Sequence, residues 1–239
     1  MDKLHLDKHI SQQFDSELED LKSQVLEMGG MVEQQIIDAV ESLESADSKL
    51  AEKVMRIEDE IDLREVALDE ACMTVLACRQ PAASDLRMVL TVTKMTRDLE
   101  RMGDEAQKIA KMAISLTQDG AAPGGYEEVR HMGTQVQNMV HSVLDAFARF
   151  DVEKALNVAK ADKQVDREYK SAMREIVTYM MEDPRSIGRV MNILWALRSL
   201  ERIGDHTRNL AEHIIFLVKG LDVRHVTVSE IERKIQKSQ

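Results

Sequence analysis

"RDLERMGDEA", Arg97–Ala106, sets two carboxylates, Glu100 and Asp104, four residues apart with a glycine between them, in a stretch that otherwise has helical periodicity. Residues at i and i+4 share one face of a helix, so this turn presents a doubly acidic surface. Both features oppose the helix that carries them. Like charges at this spacing cost about 0.2–0.5 kcal/mol per pair, and an interior glycine costs about 1 kcal/mol against alanine. The chain nevertheless repeats the arrangement in "RSLERIGDHT", Arg198–Thr207. At a constant offset of 101, residues 97–113 and 198–214 share seven identities: Arg97/Arg198, Leu99/Leu200, Glu100/Glu201, Arg101/Arg202, Gly103/Gly204, Asp104/Asp205 and Ala110/Ala211. A repeat of this length exceeds any solenoid unit and points to a duplicated helical bundle.

Working outward, apolar residues from Phe14 through Leu18, Leu21, Val25, Met28, Val32, Ile36, Ala39, Val40 and Leu43 recur at helical spacing. They predict a long first helix ending near "SADS" at Ser45. A second helix is expected from about Lys49 to Cys78, stopped at "RQP" because a proline disfavours helix in the residue before it. Residues 82–117 form a third. "QDGAAPGG", residues 118–125, gathers helix breakers and reads as the linker between halves. The pattern then restarts over Tyr126 to about Phe150, Asp151–Glu182 and Pro184–Lys219, with the proline in a first turn where its missing N–H is tolerated. The expected fold is all-α: two tandem, similar three-helix bundles with six long helices, at residues 1–117 and 126–220, followed by a C-terminal tail at 221–239.

Composition agrees. The 239 residues are 44% hydrophobic but only 3% aromatic, with three prolines and ten glycines, as expected of a helical protein with few turns. A net charge of −11 and few stacking rings argue against nucleic acid as a partner and favour a cation or a basic protein surface. The N-terminal segment lacks an apolar run followed by small residues, so no secretory signal is expected. Apolar stretches such as "IIFLV" from Ile214 fall far short of the ~20 residues of a membrane span. A soluble, cytoplasmic protein is expected, with Cys72 and Cys78 as buried thiols that do not share a helix face.

Two more acidic pairs share the four-residue spacing, Glu58 with Asp62 in the second helix and Asp162 with Asp166 in the fifth. In an antiparallel hairpin turning at Pro81, the pair at 58–62 lies level with the pair at 100–104. In a hairpin turning between Asp183 and Pro184, the pair at 162–166 lies level with the pair at 201–205. Each bundle thus brings four carboxylates to one height, about 30 Å from its turn. Hard oxygen ligands so arranged suit a divalent or trivalent cation such as iron, zinc, manganese or magnesium, with the glycine leaving room for the ion or a close neighbouring helix. The competing reading is a solvated salt-bridged face, since Arg97, Arg101, Lys108, Arg198, Arg202 and Arg208 all lie three or four residues from an acid. Glu65 and Asp69 extend the acidic column in the first half, whereas Tyr169 and Met173 stand near the equivalent places. Other candidates are single: Glu128 with His131 as one E-x-x-H, His206 in the place of Glu105, and His5 and His9 near the terminus. The methionines read mostly as core filler, with an adaptable partner surface as the alternative.

With two three-helix halves, "RQPAASDLR" from Arg79, "DLERMGDEA" from Asp98, "SLERIGDHTRNLAE" from Ser199 and "VKGLDVRH" from Val218, the sequence resembles the PhoU family of phosphate-transport regulators over nearly its whole length. The resemblance implies a cytoplasmic homodimer that acts as a negative regulator of the phosphate regulon, linking the phosphate ABC transporter to a sensor histidine kinase. It would meet the membrane only through those partners. The family's acidic motifs, associated with metal clusters, fall on Glu58, Asp62, Glu100, Asp104, Asp162, Asp166, Glu201 and Asp205. The alternative class is a metal-dependent bundle enzyme or an iron store, which should show a second E-x-x-H. A metal-free structural adaptor is a third.

Overall fold

The computed structural model describes residues 12–224 and 226–237. Within them the chain forms α1 (Gln12–Ser45), α2 (Ser48–Arg79), α3 (Ala83–Asp119), α4 (Tyr126–Arg149), α5 (Val152–Glu182), α6 (Ile187–Lys219) and α7 (Val228–Lys237), with no strand among the described residues. The six long helices fall where periodicity predicts them, with ends shifted by at most three residues. His5 and His9 lie outside the described residues.

The turns repeat as faithfully as the motifs do. Ala46 and Phe150 both leave their helices with left-handed backbones, φ 54° and 55°. Each is followed by an aspartate that caps the next helix: Asp47 accepts from the N–H groups of Lys49 and Leu50, and Asp151 from that of Lys154. Pro81 separates α2 from α3, while Pro184 opens a short 3₁₀ turn, Pro184–Ser186, before α6 begins at Ile187. The proline therefore starts a tighter turn than the expected first turn of an α-helix.

Within each half the hairpin packs on a third helix, α2/α3 on α1 and α5/α6 on α4. The halves are then fused along their lengths, α3 against α6 and α1 against α4. The α3/α6 pair runs antiparallel: Arg87 Nε donates to the Leu217 carbonyl at one end (3.2 Å), and Arg189 Nη1 to the Ala121 carbonyl at the other (3.0 Å). Buried residues of both halves form one continuous core, which leaves α2 and α5 as the outer helices. Six methionines, 28, 88, 95, 102, 132 and 139, are buried in it.

Two expectations change. The segment read as a C-terminal tail contains α7, which packs on α5 through buried Ile231 and a Lys160–Glu232 ion pair of 2.6 Å. Thr227 and Glu230 cap it reciprocally, with Thr227 N–H donating to Glu230 Oε2 at 2.8 Å. Of the two thiols only Cys72 is buried and Cys78 is exposed, because their six-residue spacing turns the second away from the core-facing stripe of α2.

Candidate functional site

In the first half, Glu58 of α2 is buried beneath the α3 motif. Gln35 of α1 donates from Nε2 to Glu58 Oε2 at 2.6 Å, while Glu58 Oε1 and Gln35 Oε1 lack hydrogen-bond partners. Burial pushes the Glu58 carboxyl up to about 7, against the Gln35 hydrogen bond, and the charges of Asp104, Asp62 and Glu100 push it the same way. Burial also raises Glu100, reinforced by Glu65, Asp104 and Asp62. The four carboxylates picked out by spacing therefore do form one electrostatic cluster. Its outer part is a groove of about 550 Å³ lined by Glu65, Asp69, Arg97, Glu100, Arg101 and Asp104.

The second half gathers Asp162, Asp166, Glu201 and Asp205 in the same manner. Burial raises Asp162 to about 6, joined by Asp205 and Asp166 and opposed by Arg208, whose Nη1 lies 3.5 Å from Asp162 Oδ2. Burial likewise raises Glu201 and Asp205, each with a neighbouring aspartate adding to it. Cations intrude further here. Arg198 donates to Glu201 Oε1 at 2.7 Å and stacks over Tyr169 with its guanidinium 5.8 Å from the ring centre. Tyr169 stands where the first half has Glu65, so the second cluster has fewer carboxylates, while the first keeps Glu65 and Asp69 in its groove beside Arg97 and Arg101. The salt-bridged reading of the motif thus holds in part, and more in the second half.

The two glycines answer to different constraints. A Cβ at Gly103 would sit 2.7 Å from Glu58 Oε2 and 3.0 Å from Gln35 Oε1, so a side chain there would have to push the ends of these two side chains aside. At Gly204 the nearest atoms, Val165 Cγ1 at 3.5 Å and Asp162 Oδ1 at 3.7 Å, leave ordinary room for a methyl group. Gly204→Ala is expected to stabilise the protein by up to about 1 kcal/mol through helix propensity. Gly103→Ala should gain nothing, because the same benefit requires moving Glu58 off Gln35. Urea unfolding of the two variants checks this; equal gains would show that Gly103 is not held by close approach.

Among the described residues, no three His, Cys, Asp or Glu side chains already converge in the manner of a metal site. The donor chemistry is nonetheless that of a hard cation. Carboxylate oxygens gather under mutual repulsion, and buried atoms, Glu58 Oε1 and Glu201 Oε2, have no partner. His131 is not part of such a set, since its Nδ1 lies 3.1 Å from Glu168 Oε2 on α5.

A buried carboxylate that joins the two halves is not marked by the acidic spacing. Asp98 of α3 is buried against α6, accepting from His206 Nδ1 (2.8 Å), Asn209 Nδ2 (3.2 Å) and His213 Nε2 (3.0 Å). A short distance along, Arg202 of α6 reaches Glu105 of α3 at 3.1 Å. His206 is thus a structural partner between the halves. The signal lay in the repeat itself: Asp98 aligns with Ser199 and Glu105 with His206, two of the three breaks in the motif over Arg97–Glu105, the third being the apolar exchange of Met102 for Ile203.

The family model described as the PhoU domain matches this chain twice, at residues 25–113 and 129–214. A phosphate-specific transport system accessory protein PhoU homolog of Pseudomonas aeruginosa is 58% identical over 236 residues, spanning 99% of this chain and 98% of the relative. The phosphate-specific transport system accessory protein PhoU of Escherichia coli K12 is 45% identical over 233 residues, covering 98% and 96%. Among solved structures, PhoU from Pseudomonas aeruginosa superposes with a TM-score of 0.86 at 61% identity, over 87% of this chain and all of that one. The phosphate transport system regulatory protein PhoU from Streptococcus pneumoniae does so at 0.81 and 32% identity, over 88% and 99%.

Proposed function

Because the chain belongs to the PhoU family, we propose that it is an accessory protein of a phosphate-specific transport system, acting as a non-enzymatic negative regulator of the phosphate regulon. The observation that carries this reading is similarity at 58% identity over both repeats to a relative so named, with almost nothing of either chain left over. In this role the protein couples the state of the phosphate ABC transporter to a sensor histidine kinase. It works as a homodimer of two-bundle chains, each with repeats at 1–117 and 126–220. No helix of the described residues is long and apolar enough to cross a membrane, which supports a cytoplasmic protein that meets the membrane through its partners. Regulation of this kind requires unequal affinity for the partner's states, because a ligand that binds both equally shifts nothing.

Each bundle holds a cation through its level carboxylates, Glu58, Asp62, Glu100 and Asp104 in one and Asp162, Asp166, Glu201 and Asp205 in the other. The bound cation supplies positive charge that relieves the repulsion among them. The chain's own residues set the terms: Gln35 orients Glu58, Gly103 leaves it space, and Arg198 and Arg208 weaken the second cluster's charge.

A deletion strain tests the regulatory reading. Phosphate-starvation genes are expected to be expressed at high phosphate and to be silenced again by the plasmid-borne gene. Continued repression without the protein would overturn the assignment.

A further inference from the structure

The outer helices carry a second duplicated pattern, unrelated to the acidic clusters. On α5, residues 163, 167, 170, 174, 177 and 181 follow a 4-3-4-3-4 spacing, and all are exposed. They read Lys, Arg, Lys, Arg, Val and Met. Shifted by 104, the offset that relates the two aspartate caps, the stripe falls on residues 59, 63, 66, 70, 73 and 77 of α2, again all exposed. These read Asp, Leu, Val, Glu, Met and Ala. A 3-and-4 spacing keeps residues along one straight seam of a helix, the seam through which two helices pack. Each seam runs for about 27 Å.

Both seams expose apolar side chains that a free surface does not call for. Met181 is 78% exposed and Val177 47% on α5, with Leu63 at 71%, Val66 at 58% and Met73 at 60% on α2. Trp195 of α6, the only tryptophan of the sequence, is also 54% exposed. The charges differ by half. In a chain of net charge −11, the α5 seam begins with four cations and ends in two apolar residues. We propose that the α5 seam docks an acidic amphipathic helix of a partner protein. Its carboxylates meet Lys163, Arg167, Lys170 and Arg174, and its apolar residues cover Val177 and Met181.

Charge complementarity selects the occupant. The aliphatic stems of lysine and arginine supply apolar contact beneath the ion pairs, so the cationic part of the seam still packs against a helix. An anionic lipid surface would also attract these cations. The same seam recurs on α2 with Asp59 and Glu70 in it, which such a surface would repel, so the feature common to both repeats is helix geometry. A second copy that paired α5 with α5 about a two-fold axis across the helices would set Lys170 against Arg174, so like charges oppose that dimer. This inference stands apart from both the cation clusters and the phosphate reading.

Fluorescence anisotropy of a labelled peptide titrated with the full-length protein provides the readout. The probe is a synthetic helical peptide with Glu and Leu in a 4-3 seam. Controls are the same peptide with Lys for Glu, a scrambled peptide of equal composition, and phosphatidylglycerol vesicles. The Glu/Leu peptide is expected to bind, with Lys170→Glu/Arg174→Glu lowering affinity about tenfold or more as two attractions become repulsions. Met181→Ser should weaken binding without changing its salt dependence. Circular dichroism confirms that these surface variants remain folded. Failure of the Glu/Leu peptide to bind, equal binding of the scrambled peptide, or unchanged affinity in the double variant would overturn the proposal. Binding to vesicles but not to the peptide would overturn it in favour of a membrane surface.

Discussion

Asp98→Ala is expected to destabilise the protein by about 3–5 kcal/mol, because it strands buried partners rather than removing one contact. His206, Asn209 and His213 of α6 all donate to this single carboxylate. Burial would raise the Asp98 carboxyl, yet the hydrogen bonds from His206, His213 and Asn209, with the charge of His213, together outweigh it and hold the group well below the usual carboxylate range. A folded-state value below the unfolded one means that the stabilisation is present at neutral pH. It is lost as pH falls below the unfolded value near 4. Alanine forfeits it at every pH and leaves two imidazoles and an amide without their acceptor. Urea unfolding at pH 7 measures the loss, and a double-mutant cycle with His213→Ala should show strong coupling, since each change removes the same bond. A loss below about 1 kcal/mol would mean that water replaces the carboxylate without cost.

The position of Asp98 gives the loss a second signature. The halves are fused chiefly through α3 and α6, and Asp98 lies in that seam. Weakening it lowers the coupling between two bundles that each have their own three helices, so the variant's unfolding transition should be broader than the wild type's or split in two.

How much of this was legible in advance depended on whether a signal was local. The long helices follow from apolar spacing, and their ends from Pro81, Asp47 and Asp151, because helix periodicity and capping act within a few residues. The level placement of the acidic pairs followed from the turn positions alone, and the structure groups the same eight carboxylates in two clusters. The fusion of the bundles was not legible. Packing of α3 on α6 brings together residues more than a hundred positions apart, and nothing near Asp98 announces His213. Helix α7 could have been read from Thr227-x-x-Glu230, a capping box overlooked because the segment is short and polar. Gly103 and Gly204 are indistinguishable in sequence. Only the Glu58–Gln35 pair packed beneath Gly103 separates a glycine in close contact from one with room for a methyl group.

Glu58→Gln is expected to stabilise the cation-free protein while removing its response to metal. Burial, with Asp104, Asp62 and Glu100 adding to it, raises the Glu58 carboxyl from its ordinary 4.5 to about 7. A folded value above the unfolded one means that the protonated form favours folding. The advantage is complete below pH 4.5 and is lost as pH rises through 7, so ionisation at pH 8 costs the wild type roughly 2–3 kcal/mol. Glutamine keeps the shape and the acceptor for Gln35 Nε2 but cannot ionise. The variant should therefore gain up to that amount at pH 8 in chelator and little at pH 5. In the wild type a bound cation would offset the same repulsion. Manganese, iron, zinc or magnesium at one hundred times its dissociation constant should raise stability by about 2.7 kcal/mol. The rise should fade as pH drops towards 6, where protons compete for the ligands. Glu58→Gln should lose the first cluster's share of it, and Glu201→Ala/Asp205→Ala the second's. Thermal melts from pH 5 to 8, with and without metal, separate the possibilities. A Glu58→Gln protein that keeps the full metal response would place the cation elsewhere, and one no more stable than wild type at pH 8 would show that the buried carboxylate carries no strain.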